Sequence, residues 1–183
     1  MNDGIAITTP FLMTPDDAPR YWLVDSVWSV LASADTTGGA LTVMDQLMPR
    51  RSGPPPHVHE RRQEYFYVLD GEIRFQLGTQ IRTATSGDLL MVPANTVHAF
   101  AVVSQTARVL NLYTPGGFVE QISHLGTPAT EFRLPREGEQ PSPSVERHAA
   151  YLSRSAELNT QRWLTADEAE DLLVGERDAP TRR

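Results

Sequence analysis

Residues 20–114 consist of short apolar stretches separated by turn-forming residues, with Asp-Gly at 70–71, Ser-Gly at 86–87 and Pro-Ala-Asn at 93–95. Short strands that follow one another without helical periodicity between them are typical of a β-sandwich or barrel. The pattern therefore predicts an all-β domain. Its predicted strands read, in chain order, YWLVDSVWSVLAS, ALTVMDQLM, EYFYVLDG, EIRFQLG, TQIRTAT, DLLMVP, VHAFAVV and ARVLNLY.

The first of these stretches is read as one continuous strand. Its large apolar residues alternate, which would place Trp22, Val24, Trp28 and Val30 on a single face. The strand is expected to end before the Thr-Gly-Gly turn at 37–39.

The periodicity changes after Thr114. The segment PGGFVEQISHLG spaces Phe118, Ile122 and Leu125 as one face of a helix and ends at Gly126, so a short helix is predicted here. Further on, RHAAYLSRSAELN and TADEAEDLLVGER are also helical in pattern, and the second opens with a capping box.

These changes in pattern predict four regions. Residues 1–19 form an N-terminal arm, and 20–133 form the β-barrel domain with its trailing helix. The Pro- and Glu-rich stretch 134–144 has no pattern that could be buried, so it is read as a linker. Residues 145–183 are predicted to be a helical C-terminal extension.

Composition removes several classes of chemistry. The chain has no cysteine, and all 16 of its basic residues are arginine. Thiolate nucleophiles, zinc–thiolate sites, lysine Schiff bases and P-loops are therefore excluded. The net charge of −7 argues against a nucleic-acid partner, because such proteins need a basic face.

The N-terminal stretch MNDGIAITTPFLMTP lacks both a basic start and a long apolar core, so no signal peptide is predicted. No apolar stretch approaches the roughly 18 residues that a membrane span needs. We therefore expect a soluble, cytoplasmic protein without a membrane partner.

Three histidines and one glutamate form the main candidate site. His57 and His59 share one face of an extended segment, because side chains alternate along a strand. Glu64 would share its strand face with apolar residues only, so it needs a cation or a hydrogen-bond partner. With His98 at the start of a later strand, three imidazoles and one carboxylate could bind a divalent metal and leave coordination positions open.

The spacing of these residues resembles the two sequence signatures of the cupin superfamily. One departure is Asn95, which stands where the second signature usually has glycine, and Asn tolerates the left-handed conformation that such a loop requires. The other is Val102, where the signature often ends in Asn. The matching residues are Gly53, His57, His59, Glu64 and Gly71 for the first signature, and Gly87, Asp88, Pro93 and His98 for the second.

The segment RVLNLYTPGGFVEQISHLGTP resembles the one that closes the metal-binding domain of quercetin 2,3-dioxygenase-like cupins. This resemblance implies a double-stranded β-helix, the cupin jelly-roll barrel, which is usually dimeric. It also implies that His57, His59, Glu64 and His98 bind one divalent transition metal (Fe, Mn, Ni, Co, Cu or Zn) and that Glu64 is the catalytic base.

The same ligands fit three functions. The first is a dioxygenase that acts with O₂ on a hydroxylated aromatic, flavonol or enol small molecule. The second is a non-redox, metal-dependent isomerase or cyclase that moves a proton next to a carbonyl. The third is a non-catalytic cupin that binds a small metabolite.

Residues for substrate and subunit contacts are less clearly marked. Because small-molecule pockets are mostly apolar, Met48, Phe66 and Phe100 are selected as candidate substrate-binding wall residues. A homodimer is expected, with Trp28, Tyr65 or the region beyond residue 145 packing against the partner.

Overall fold

A computed structural model describes residues 9–139 and 162–163, and within them the chain forms two antiparallel β-sheets. The strands and helices are β1 (Arg20–Leu23), β2 (Ser26–Ala32), α1 (Ala34–Thr37), β3 (Thr42–Pro49), β4 (His57–Val58), β5 (Gln63–Asp70), β6 (Glu72–Leu77), β7 (Gln80–Thr85), β8 (Leu89–Val92), β9 (His98–Val102), β10 (Thr106–Thr114), α2 (Val119–Leu125), β11 (Thr127–Pro128) and β12 (Arg162–Trp163). The larger sheet has the order β11-β1-β2-β3-β10-β5-β8, and the smaller one β12-β4-β9-β6-β7. The predicted all-β architecture is confirmed.

The main hydrophobic core draws on both sheets. Strand β5 illustrates how each strand contributes one face to it. Glu64, Phe66 and Val68 are buried whereas Tyr67 is exposed, as the period of two in a strand requires. The apolar residues of the inward rows form two clusters, of which this core is the larger. Its buried members are Met48, Phe66, Val68, Ile73, Phe75, Ala84, Val92, Val102, Ala107 and Val109.

The first predicted strand is wrong as a single element. The chain reverses at Val24 and Asp25, and Leu23 pairs with Ser26 across the resulting β1–β2 hairpin. Val24 has a φ of 59° and is 74% exposed, so it does not share a buried face with Trp22. The apolar alternation in the sequence continues across this turn because both β1 and β2 direct apolar side chains inward.

Two short helices occur among the described residues. The predicted helix after the barrel is confirmed as α2, which ends before Gly126. Helix α1 was not predicted; Ser33 caps it by accepting from the backbone N–H of Thr36. With four and seven residues, neither helix is long and apolar enough to cross a membrane.

The two predicted C-terminal helices lie outside the described residues. Between their sequence segments, β12 pairs with β4, so that Trp163 lies opposite His57. A strand from the C-terminal region thus extends the smaller sheet next to one of the candidate metal ligands.

An apolar patch lies on the outer face of strands β5 and β8 in the larger sheet. Tyr65 pairs with Met91 and Tyr67 with Leu89, which places four large side chains together on the outer face of β5 and β8. Leu89 is 64% exposed and Met91 45% exposed. The homodimer stays a prediction, and this face is where Tyr65 could contact a partner.

Gly71 and Gly87 provide a matched test of the tight turns in the barrel. Their φ values are 89° and 91°, but an added Cβ at Gly71 would lie 2.4 Å from the carbonyl oxygen of Thr106, whereas at Gly87 it would meet no atom within 4 Å. We expect Gly87→Ala to cost about 1–2 kcal/mol through backbone strain alone, and Gly71→Ala to cost clearly more. Urea denaturation of both variants measures the difference, and equal losses would contradict the packing at Gly71.

Candidate metal centre

The two sheets bring the four candidate ligands to one buried point. His57 lies on β4 and pairs directly with His98 on β9, while His59 follows β4 and Glu64 lies on β5 of the other sheet. All four residues are at most 3% exposed. One potential ligand atom from each lies within 4.8 Å of the others.

Backbone carbonyls orient two of the imidazoles. The Nδ1 atom of His57 lies 3.0 Å from the carbonyl oxygen of Pro55, and Nδ1 of His98 lies 2.9 Å from that of Thr96. Since a carbonyl can only accept, each Nδ1 must carry the proton. That leaves Nε2 of each ring as the atom available to a metal.

The Glu64 carboxylate has two differently occupied oxygens. Oε1 accepts hydrogen bonds from the Asn111 amide at 2.9 Å and from the Tyr113 hydroxyl at 2.6 Å. Oε2 lies 3.0 Å from Nε2 of His98 and 3.2 Å from Nε2 of His59. One oxygen is therefore anchored to β10, and the other faces the imidazoles.

Burial and charge set the protonation of the cluster. Burial, reinforced by the neighbouring His98, lowers the pKa of His57 to about 3, so this ring is neutral near pH 7. Burial alone would raise the pKa of Glu64, but hydrogen bonds from His59 and His98 outweigh it and hold that pKa well below its usual range. Burial likewise opposes the charged form of His98, yet its bond to Glu64 raises its pKa. The cluster thus stabilises a proton on His98 beside Oε2 of Glu64. A divalent cation bound there would replace that proton.

Aromatic packing and one loop hold His59 and its surroundings in place. Tyr113 stacks on Phe118, with ring centroids 4.0 Å apart, and Phe118 meets the His59 ring edge-on at 6.1 Å. The backbone N–H of Asn95 donates to the carbonyl oxygen of His59 at 2.8 Å. Asn95 has a φ of 63°, which confirms that it adopts the left-handed conformation expected at this position.

Asn111 and Tyr113 are site residues that the sequence reasoning missed. Both lie on β10, where their partners across the β5–β10 ladder are Phe66 and Glu64. The sequence did contain an indication for Asn111, namely a polar residue on an apolar strand face. Asn111 shares its inward face with Val109, as Glu64 shares its face with Phe66. Other titratable residues near the signatures, Glu60 and His124, are exposed.

A cavity of about 350 Å³ opens beside the cluster and is bordered by His57, His59 and Glu64. Of the three predicted wall residues, Phe100 borders this cavity. Phe66 and Met48 lie in the main hydrophobic core instead. Further bordering residues include Leu23, Asp25, Trp28, Gln46, Arg51, Tyr113, Phe118, Gln121, Ile122 and Leu125.

Sequence comparison relates the segment that carries this site to a known family. A family model described as "Cupin domain" matches residues 43–113, which include all four candidate ligands. Quercetin 2,3-dioxygenase of Bacillus subtilis is 29% identical over 119 residues, which cover 65% of this chain and 35% of that enzyme. The quercetin 2,3-dioxygenase of Aspergillus japonicus is 29% identical over 130 residues, 67% of this chain and 37% of its own. The matched region therefore spans little more than a third of either relative.

Solved structures support the same fold. KdgF from Halomonas sp. matches with a TM-score of 0.54 at 20% identity, over 62% of this chain and 99% of that protein. The predicted double-stranded β-helix is thus confirmed. Residues 43–113 match the cupin domain family, and over about two thirds of its length the chain resembles the quercetin 2,3-dioxygenases of Bacillus subtilis and Aspergillus japonicus.

Proposed function

We propose that this protein is a metal-dependent dioxygenase that acts on a hydroxylated aromatic, flavonol or enol small molecule. The observation that carries the proposal is the carboxylate of Glu64, held by one oxygen beside three imidazoles at the wall of an apolar cavity. The resemblance to quercetin 2,3-dioxygenases supports the choice of an oxygenase and of O₂ as co-substrate.

The donor set fits one divalent transition metal, held by Nε2 of His57 and His98, a ring nitrogen of His59 and Oε2 of Glu64. Three neutral imidazoles and a carboxylate suit Fe, Mn, Ni, Co, Cu or Zn. When bound, such an ion would act as a Lewis acid and lower the pKa of a substrate hydroxyl. The buried carboxylate gives independent support, since it needs positive charge or donors around it.

Glu64 is the residue to which we assign proton transfer. Its Oε1 is occupied by the donors of Asn111 and Tyr113, so the acceptor of the substrate's hydroxyl proton is Oε2, through the lone pair that a metal would leave free. Loss of that proton leaves an electron-rich enolate. O₂, the oxidant, then adds to two carbons of the enolate ring, the O–O bond and the ring carbon–carbon bonds at the site of addition break, both oxygen atoms stay in the products, and Glu64 returns the proton to the ring-opened product. The bonds from Asn111 and Tyr113 keep the carboxylate at a fixed angle throughout.

The cavity suits a substrate of this kind. Its volume of about 350 Å³ lies in the range of small-molecule sites, roughly 300–1,000 Å³. Trp28, Phe100 and Phe118 border it and offer flat apolar surfaces to an aromatic ring. Substrate orientation therefore combines aromatic contacts with the polar groups of the metal centre.

We expect one metal ion per chain in protein purified without a histidine tag. His98→Ala should lose nearly all of it, because the variant removes a ligand and leaves the buried Glu64 without one of its partners. His124→Ala, which changes an exposed histidine on α2, is the matched control and should retain the ion. Elemental analysis measures the stoichiometry, and a metal-replete His98→Ala protein would contradict the assignment.

Glu64→Gln separates the base from a structural role. Turnover per bound metal should fall roughly 10²- to 10⁴-fold, the usual contribution of a general base. Glu60→Gln removes the same charge at an exposed neighbouring position and should leave turnover unchanged. If Glu64→Gln instead loses metal or stability but keeps its activity per bound ion, Glu64 serves only to build the site.

Oxygen dependence tests the reaction class. With a panel of flavonols and related enols, O₂ uptake should match substrate loss, and the reaction should stop under nitrogen. Equal conversion without O₂ would favour an isomerase or cyclase using the same base. Tight binding without conversion, under any of the six metals, would favour a binding protein.

A further inference from the structure

Two buried polar atoms in the cavity wall have no hydrogen-bond partner among the described residues. They are the amide oxygen Oε1 of Gln46 and the indole nitrogen Nε1 of Trp28. Both residues border the cavity that also contains Glu64 and His59. Gln46 is only 3% exposed, so its amide oxygen cannot be satisfied by bulk water.

Gln46 and Trp28 are neighbours by strand pairing. Gln46 on β3 lies directly opposite Trp28 on β2, so their side chains stand on the same face of the sheet. Gln46 interrupts an otherwise apolar inward row between Met44 and Met48, which are at most 1% exposed. A polar side chain in such a row is costly unless it gains a partner, and buried polar groups in proteins nearly always have one.

We propose that Gln46 and Trp28 form a subsite that recognises a second hydroxyl of the substrate, distinct from the one that Glu64 deprotonates. The hydroxyl donates to Oε1 of Gln46 and accepts from Nε1 of Trp28. This inference rests on the proposed function in one respect, namely that the molecule filling the cavity is the substrate. It narrows the substrate class to aromatics that carry a further phenolic hydroxyl.

The chemistry of the two atoms selects a hydroxyl. One atom only accepts and the other only donates, and a hydroxyl is a small group that does both at once. An ether or methoxy oxygen cannot donate to Gln46, and an ionised carboxylate cannot donate to it either. The ring centroid of Trp28 also lies 6.3 Å from that of Phe118. Phe118 in turn contacts His59, so the aromatic wall continues towards the metal centre.

The test uses three probes that share the metal-binding enol, namely 3-hydroxyflavone, 3,7-dihydroxyflavone and 3,4′-dihydroxyflavone. Binding to the metal-loaded full chain is measured by calorimetry under nitrogen, so that it does not depend on turnover. Wild type should bind at least one dihydroxyflavone about 10- to 100-fold more tightly than 3-hydroxyflavone. Gln46→Leu should abolish that preference, and the milder Trp28→Phe should reduce it. Gln105→Leu, the same change at an exposed turn, should keep it.

A second readout separates recognition from a structural role. Because Gln46→Leu removes a buried amide oxygen that lacks a partner, the Tm of the ligand-free protein should stay equal or rise. A large drop in Tm with the hydroxyl preference intact would overturn the proposal, since it would show that the amide bonds within the protein. Failure of all three flavonols to bind would also overturn it.

Turnover in air distinguishes this inference from the dioxygenase assignment. A preference that depends on Gln46, without any conversion of the bound flavonol, would support the subsite and contradict the dioxygenase. Conversion of all three probes with equal affinity and rate would support the dioxygenase and overturn the subsite.

Discussion

Burial of the Glu64 carboxylate is the constraint on which the rest of the site depends. A carboxylate taken out of water is stable only where donors or cations surround it. Here β9 supplies His98, the segment after β4 supplies His59, and β10 supplies Asn111 and Tyr113. Both sheets must therefore close around this one group. The register of β10 against β5 is under the same constraint, because a slip of one residue would turn the two donors away.

In the function proposed above, the two oxygens of Glu64 would have different roles. Hydrogen bonds to Oε1 fix the angle of the carboxylate and tie it to the larger sheet. Oε2 then faces the imidazoles of His59 and His98. A group fixed in this way loses little orientational freedom when a substrate arrives, which is what efficient proton transfer requires.

The barrel interior is divided into a packed half and an open half. Around Phe66, Phe75 and Phe100 the rings meet at centroid distances of 4.9–5.7 Å and form the main core. On the other side, the cavity is bordered by Gln46 and Trp28, whose polar atoms lack protein partners within the described chain. The packed half stabilises the fold. The open half contains buried polar groups that cost folding free energy, and apolar side chains of the same shape would avoid that cost.

The sequence by itself determined strands β3 and β5 to β10, helix α2 and the four clustered residues His57, His59, Glu64 and His98, because alternation, turn residues and motif spacing are local properties. Tertiary structure alone decided the reversal at Val24, the donors that Asn111 and Tyr113 give to Glu64, and the identity of the cavity wall. Local periodicity shows that a side chain faces inward but not what it meets there. Pairing between segments far apart in the chain makes that choice, so Phe66 and Met48 joined the core while Gln46 and Trp28 came to border the cavity.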